Sequence, residues 1–390
     1  MTAPQAITGS AVISGLESGI LRFNPDYDLV PLEGLADSER ALLDAAGGDP
    51  HLYGVLRPRP GSALAVRTAD CDTALLAHTL RAPGPIPGYV RRRLGSRTDA
   101  TITALVLDGV LQLRSGSCFV CGPDAAATIA APGAGTSVCS ALSGAAVRYG
   151  GRLVGLTEQE LSNRLYGYGR KPPSPRLRHR LGDPAAVEDF LAPEEADSCW
   201  AAWPTSARTA QYWRCWVRRD HPRPERSRPT FKLYVSPGIE AVPAVLPQLR
   251  QAAARAHGVV GYKLGRGLSG LCRPDKLIVY LRTQDDLWEL AGELAARLGG
   301  LEPHGVPFTG AITADGLLSW GYDPPAPGGE PMSWRRWITD RLADYLLAAA
   351  GTGATPRQAC HHALTRIELA GVDPRTWSPR ETHWAAGETI

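Results

Sequence analysis

The chain has 390 residues and a mass of 41.7 kDa, with 44% hydrophobic and 21% charged residues, which is globular material long enough for two domains. A formal net charge of only +3 argues against a general polyanion binder, and so against nucleic acid as a partner. No apolar run reaches the roughly 18 residues that a membrane span needs, so no membrane partner is expected. The opening Met1 to Gln5 lacks the basic start of a secretory signal, and the eight scattered cysteines therefore read as thiols of a cytoplasmic protein.

Residues 1 to 150 read as one α+β domain. The pattern predicts a helix from Asp37 or Ser38 to Ala46, stopped by Gly47-Gly48-Asp49-Pro50, then short strands over 52–56 and 63–67. Helices follow over 72–80, 89–94 and 98–107, and Asp108-Gly109 turns the chain into strands over 110–113 and 118–120. Helices followed by a two-stranded wing outline a winged-helix-like unit. In peptide-modifying enzymes such units bind a substrate's leader peptide by strand addition; a plain structural domain is the alternative. Cys118 and Cys121 have half of a zinc-site spacing that Cys360, His361 and His362 would have to complete. No second CxxC answers them, so two strand cysteines and a helix, with no metal and no cofactor, is the simpler reading.

Residues 122 to 150, rich in Ala, Gly and Ser, read as a covering helix and loop, and a second domain is expected over 155–390. Thr157 and Glu160 stand in capping-box positions at the start of a helix running to about Tyr168, and Pro184 to Leu191 reads as another. Basic clusters at 170–180 and 214–228 are either solvated faces or a groove for a phosphorylated or acidic partner. Alternation over Thr209 to Val217 predicts a strand with one buried face, and 220–229 a charged hairpin loop. Beyond Leu281 the pattern gives helices over 285–298, 333–350 and 355–370, a short strand near Trp320, and a poorly ordered tail past Trp377.

The stretch from Arg228 to Leu281 organises this second domain. A strand bearing Lys232 and Tyr234 stops at Pro237-Gly238, and a helix over 242–257 follows. A second strand carries Lys263 and Arg266. The loop Gly267 to Gly270 and then Arg273-Pro-Asp lead to a third strand starting at Lys276. Period two puts Lys232 and Tyr234 on one face of their strand. Cations and a phenol converging on one sheet point to a site that holds a dianion and moves a proton. The sequence has no GxxxxGK[ST] loop, GxSxG elbow, HExxH or HRD/DFG pair, and the glycines of Gly265-Arg-Gly-Leu-Ser-Gly270 make a poor dinucleotide fingerprint because no helix is expected after them.

The ordered set Phe231-Lys232-Leu-Tyr234-Val-Ser236, Tyr262-Lys263, and Arg273 ahead of Leu277-Ile-Val-Tyr280 resembles the phosphothreonine lyases of bacterial type III effectors, and more closely the related lyases of lanthipeptide and thioamitide biosynthesis. Gly305-Val-Pro-Phe-Thr309 and Gly316-Leu-Leu-Ser-Trp-Gly also resemble the Hop-type branch, and the likeness covers roughly residues 155 to 345. The resemblance implies a mixed or antiparallel sheet flanked by helices and β-elimination of phosphate from phosphoserine or phosphothreonine, giving a dehydroamino acid. Lys263 would take the Cα proton, a role that burial and neighbouring cations favour by making an amine easier to deprotonate. Lys232 would stabilise the enolate. Arg273 would grip phosphate, with Arg266, Lys276, Arg336, Arg341 and His304 as further candidates. Tyr234 stands where effector lyases carry their acid histidine, and two nearby cations are expected to lower its pKa and favour proton donation; His304 is the substitute. The implied partners are a phosphorylated ribosomal precursor peptide, a separate Ser/Thr kinase and a cyclase. Two alternatives stay open: a non-catalytic, peptide-binding relative of the lyases, and an effector lyase acting on a host phosphoprotein.

Overall fold

Capping and alternation set most of the elements in the computed structural model, which describes residues 19–45, 49–62, 64–129, 135–191, 199–220, 230–324 and 332–380. The fold is α+β with antiparallel sheets, and the chain divides into two units: residues 1–132 with 345–369, and residues 133–344 with 370–390.

In the first unit β1 (Leu21–Phe23), β2 (Tyr27–Pro31), β3 (Leu52–Pro58), β4 (Arg67–Asp70), β5 (Leu111–Ser115) and β6 (Cys118–Val120) make two three-stranded sheets, ordered β1-β5-β6 and β2-β3-β4. The helices are α1 (Asp37–Ala45), α2 (Cys71–Thr79), α3 (Gly88–Leu94), α4 (Thr98–Leu107) and α5 (Gly122–Thr128), joined by the helix Pro356–Leu369. Leu21, Leu80, Ile102, Val106 and Leu111 are buried together in one core. β4 starts at Arg67, where the expected strand over 63–67 was to end. Asp70 both ends β4 and caps α2, its carboxylate accepting from the Thr73 N–H at 2.7 Å. On the last helix of this unit Cys360 and His362 are buried, and a ring nitrogen of His362 meets the Tyr345 carbonyl. Among the described residues no three His, Cys, Asp or Glu side chains converge as metal ligands would, and no helix is long and apolar enough to cross a membrane.

The second unit holds helices α6 (Val138–Gly150), α7 (Glu158–Tyr166), α8 (Pro175–Arg180), α9 (Pro184–Leu191), α10 (Ala207–Tyr212), α11 (Val242–Arg255), α12 (Gly267–Leu271), α13 (Gln284–Leu298) and the start of α14 (Trp334–Gly351). Besides a two-stranded ribbon of Val372–Asp373 with Ser378–Pro379, its strands are β7 (Trp200–Ala202), β8 (Trp213–Arg218), β9 (Phe231–Val235), β10 (Val259–Gly265), β11 (Leu277–Leu281), β12 (Gly310–Ala311) and β13 (Leu318–Tyr322). β7 to β13 form one antiparallel seven-stranded sheet in the order β12-β13-β9-β11-β10-β8-β7. One face is apolar: Leu233, Val235, Leu264, Leu277 and Val279 share a core with Val245 and Leu249 of α11 and Leu290 and Leu294 of α13. Burial of this face is the main driving force for the unit. The Thr157–Glu160 capping box starts α7 as expected, and Thr283 with Asp286 starts α13 in the same way.

Two expectations fail. The strand over 209–217 begins only at Trp213, because 207–212 is helical. Ser206 caps that helix, and Arg266 fastens its end with its own N–H on the Tyr212 carbonyl and its side chain on the Ala210 carbonyl, both at 2.9 Å. The expected loop from Gly267 to Gly270 is instead part of a short helix, α12. A Cβ on Gly265 would lie 2.5 Å from the Gly270 carbonyl oxygen, so these glycines let two backbones touch. Most of the 220–229 loop, and the tail from 381, lie outside the described residues.

Candidate active site

The other face of the seven-stranded sheet is polar. Lys232 pairs with Tyr280 and Tyr234 with Ile278, while Ile278 also pairs with Lys263, which faces Cys215 of β8. Strand alternation therefore brings Lys232, Tyr234, Tyr280, Lys263 and Cys215 to one side. The centre of the Tyr280 ring lies 5.3 Å from Lys232 Nζ and 5.6 Å from Lys263 Nζ. The Lys263 amine also lies 4.1 Å from the Trp213 ring, and its side chain is half-buried. Lys232 is buried and held by Asp323, with Nζ 2.6 Å from Oδ2. Asp323 in turn accepts from Thr230 Oγ1 at 3.1 Å and from the Trp334 N–H, at the start of α14, at 2.9 Å.

An arginine group stands beside the lysines. Asp275 is buried between two guanidinium groups. It accepts from Arg273 Nε at 2.8 Å and Nη2 at 2.9 Å, and from Arg335 Nη1 at 2.7 Å. Burial alone would raise the Asp275 carboxyl, but Arg335 and Arg273 overcome it and hold the group well below the usual carboxylate range. Burial likewise opposes the charge of Arg273, and Asp275 and Tyr166 more than offset it. Arg335 is consumed by structure, since Nε donates to the Pro307 carbonyl and Nη2 to the Tyr166 carbonyl. Arg273 is not. Its guanidinium lies between Trp213 (4.6 Å) and Tyr166 (5.7 Å), and among the described residues its Nη1 makes no hydrogen bond. The Tyr166 hydroxyl donates to Asp275 at 3.2 Å.

Of the 42 basic residues four are lysine: Lys171, Lys232, Lys263 and Lys276. Three of the four project from the polar side of β9, β10 and the start of β11. A chain that uses arginine almost everywhere has placed amines here. Guanidinium groups stay protonated, whereas an amine can release and accept a proton.

The remaining candidates fall in different places. Arg336 joins the group through the Tyr166 ring at 5.0 Å and pairs with Asp340 at 3.4 Å. Arg266 is exposed and turned toward α10, as above. Arg341 lies over the Trp337 ring at 3.9 Å. Lys276 is buried, its amine 2.8 Å from the Pro237 carbonyl and 2.9 Å from His304 Nδ1, and His304 Nε2 lies 2.6 Å from the Gly169 carbonyl. Tyr234 is buried at 2% exposure. Burial, with Asp323 adding to it, pushes its phenol well above the ordinary value, the reverse of the lowering expected from nearby cations. Such a phenol keeps its proton and can only donate it. Sequence reasoning missed Asp275, Asp323, Arg335 and Tyr166 as site residues; no local pattern marks them, since each is brought in by packing.

No family model matches the sequence, and no curated protein does. Among solved structures the chain is similar to the effector protein from Pseudomonas syringae pv. tomato strain DC3000, at 11% identity and a TM-score of 0.41, over 63% of this chain and 98% of that one. It is also similar to the effector protein from Pseudomonas syringae pv. syringae strain 61, at 13% identity and a TM-score of 0.38, over 62% and 98% of the two chains.

Proposed function

We propose that this protein is a lyase that eliminates phosphate from phosphoserine or phosphothreonine in a peptide. The observation that carries this reading is the charge arithmetic of the polar face. Lys232 is matched by Asp323 and Arg336 by Asp340, while Arg273 and Arg335 share Asp275, and Lys263 has no ion-pair partner among the described residues. One fixed positive charge, on the Arg273–Arg335–Asp275 group, is left over for a phosphate, and Lys263 beside it, unpaired among the described residues, is free to act as the base. The Nη1 donors of Arg273 suit the phosphate oxygens, and the flanking Trp213 and Tyr166 rings fix the guanidinium plane. The neutral amine of Lys263 takes the Cα proton. The electrons of that C–H bond form the Cα=Cβ double bond, and the Cβ–O bond breaks with its electron pair leaving on phosphate. Lys232, oriented by Asp323, steadies the negative charge that develops on the carbonyl oxygen. Tyr234 holds a proton for the leaving oxygen. The likeness of the sequence motifs to lyases of peptide biosynthesis supports a ribosomal precursor peptide as substrate, phosphorylated by a separate kinase and passed on to a cyclase.

The test is mass spectrometry of a phosphoserine or phosphothreonine peptide incubated with the protein, beside Lys263→Ala. The expected product has lost phosphoric acid, with Lys263→Ala slower by about 10²- to 10⁴-fold, the usual contribution of a general base. A product that has lost only HPO₃ is hydrolysed and overturns the elimination mechanism. Unchanged peptide that binds tightly would instead favour a peptide-binding relative of the lyases.

A further inference from the structure

The buried pair Lys276–His304 takes no part in the steps above, yet it joins three segments that the steps need. Lys276, ahead of β11, donates to the carbonyl of Pro237 just past β9, the strand that carries Lys232 and Tyr234. The His304 backbone N–H donates to the Ser236 carbonyl at 2.7 Å, at the same end of β9. The His304 ring then reaches the Gly169 carbonyl, three residues beyond Tyr166.

The hydrogen-bond chemistry fixes the state of the ring. A carbonyl only accepts, so Nε2 carries the hydrogen; Nδ1 is then bare and accepts from the Lys276 amine. A neutral lysine still has two N–H bonds, enough for both Pro237 and His304, so the arrangement needs only that His304 stay uncharged. Burial and the neighbouring Lys276 charge keep it so, holding the imidazole down to about 4.

Downstream of this clamp, the Tyr166 ring faces Arg273, Arg335 and Arg336, and its hydroxyl touches both Asp275 and Arg273. The segment after Tyr166 is also tied by the Lys171 N–H to the Cys272 carbonyl at 3.2 Å, by Arg170 to Ser269, by Lys171 Nζ to Glu302 at 3.7 Å and by the Tyr168 ring on Tyr149. We propose that His304 and Lys276 are positioning residues that hold the Tyr166 segment against the arginine group and so aim Arg273 at the phosphate. This rests on the lyase reading for what Arg273 binds; the clamp itself does not.

His304→Gln keeps one donor and one acceptor on the side chain, whereas His304→Phe keeps the bulk and removes both. Phosphopeptide affinity, measured in the Lys263→Ala background so that turnover cannot interfere, should fall on the order of tenfold for His304→Phe, since two buried polar groups lose their partner. His304→Gln should restore most of it. In the otherwise native protein the same loss should appear as a raised KM more than a lowered kcat. Limited trypsin digestion gives a readout that needs no phosphopeptide: cleavage after the exposed Arg170 should quicken in His304→Phe and in Lys276→Met, and return toward the native rate in His304→Gln. Equal cleavage rates in all four proteins would overturn the clamp, as would a ¹⁵N spectrum placing the His304 hydrogen on Nδ1. If cleavage responds as stated and the native protein neither binds nor turns over phosphopeptide, the clamp stands and the lyase reading falls.

Discussion

The two faces of the seven-stranded sheet are built from the same strands by opposite rules. On one face Leu233, Val235, Leu264, Leu277 and Val279 lie under α11 and α13, and stabilise the unit by area removed from water. On the other, β9, β10 and β11 present Lys232, Tyr234, Lys263 and Tyr280, and buried charge there survives only because carboxylates from elsewhere in the chain meet it. On the apolar face a lost side chain leaves a cavity that its neighbours fill only in part, so the cost is that of the area and cavity alone. The polar face is brittle where a charge is buried and paired, and tolerant where it is half-open.

This contrast can be measured in this unit alone, because all ten tryptophans fall in residues 133–344 and 370–390, so tryptophan fluorescence reports its unfolding. The largest expected effect is Asp275→Ala, which leaves Arg273 and Arg335 without their shared carboxylate and should cost about 3–5 kcal/mol in urea unfolding. A cost below that of a core truncation would mean that the arginines find other partners. Leu233→Ala on the apolar face should cost about 3 kcal/mol, as buried leucine truncations do, while sparing turnover of the folded protein. Acid sharpens the comparison further. Between pH 6.5 and about 4 an unfolded histidine takes up a proton that buried His304 refuses. Its folded value is depressed, so its contribution is intact above 6.5 and is lost as pH falls toward 4, by up to about 1.4 kcal/mol per pH unit. His304→Gln should flatten that slope; an unchanged slope would assign it to other groups. Smallest is Lys263→Ala. The side chain is half-open and lacks an ion-pair partner among the described residues, so stability should move by no more than about 0.5 kcal/mol. A large loss would show that Lys263 holds the fold together.

What the sequence determined by itself is local. Capping boxes at Thr157 and Thr283 and the helical spacing of Val242 to Arg255 set their helices. Alternation along β9 placed Lys232 and Tyr234 on one face, and the rarity of lysine was there to be read. One failure comes where a distant residue joins a local cap against the alternating pattern: Arg266, with Ser206 at the N-cap, turns the start of an apparent strand into α10. The site shows the same limit. Asp323 on Lys232, Arg335 on Asp275 and Tyr166 beside Arg273 come from three separate segments, 60 to 107 residues away from the groups they meet, and no spacing rule connects them. The state of Tyr234 was decided by burial, which only tertiary structure supplies, and burial outweighed the nearby cations from which the sequence suggested the opposite shift. Period and propensity act over a few residues; desolvation and ion pairing act through space, and in this protein they decide which side chains are charged, which keep a proton, and which are free to meet a ligand.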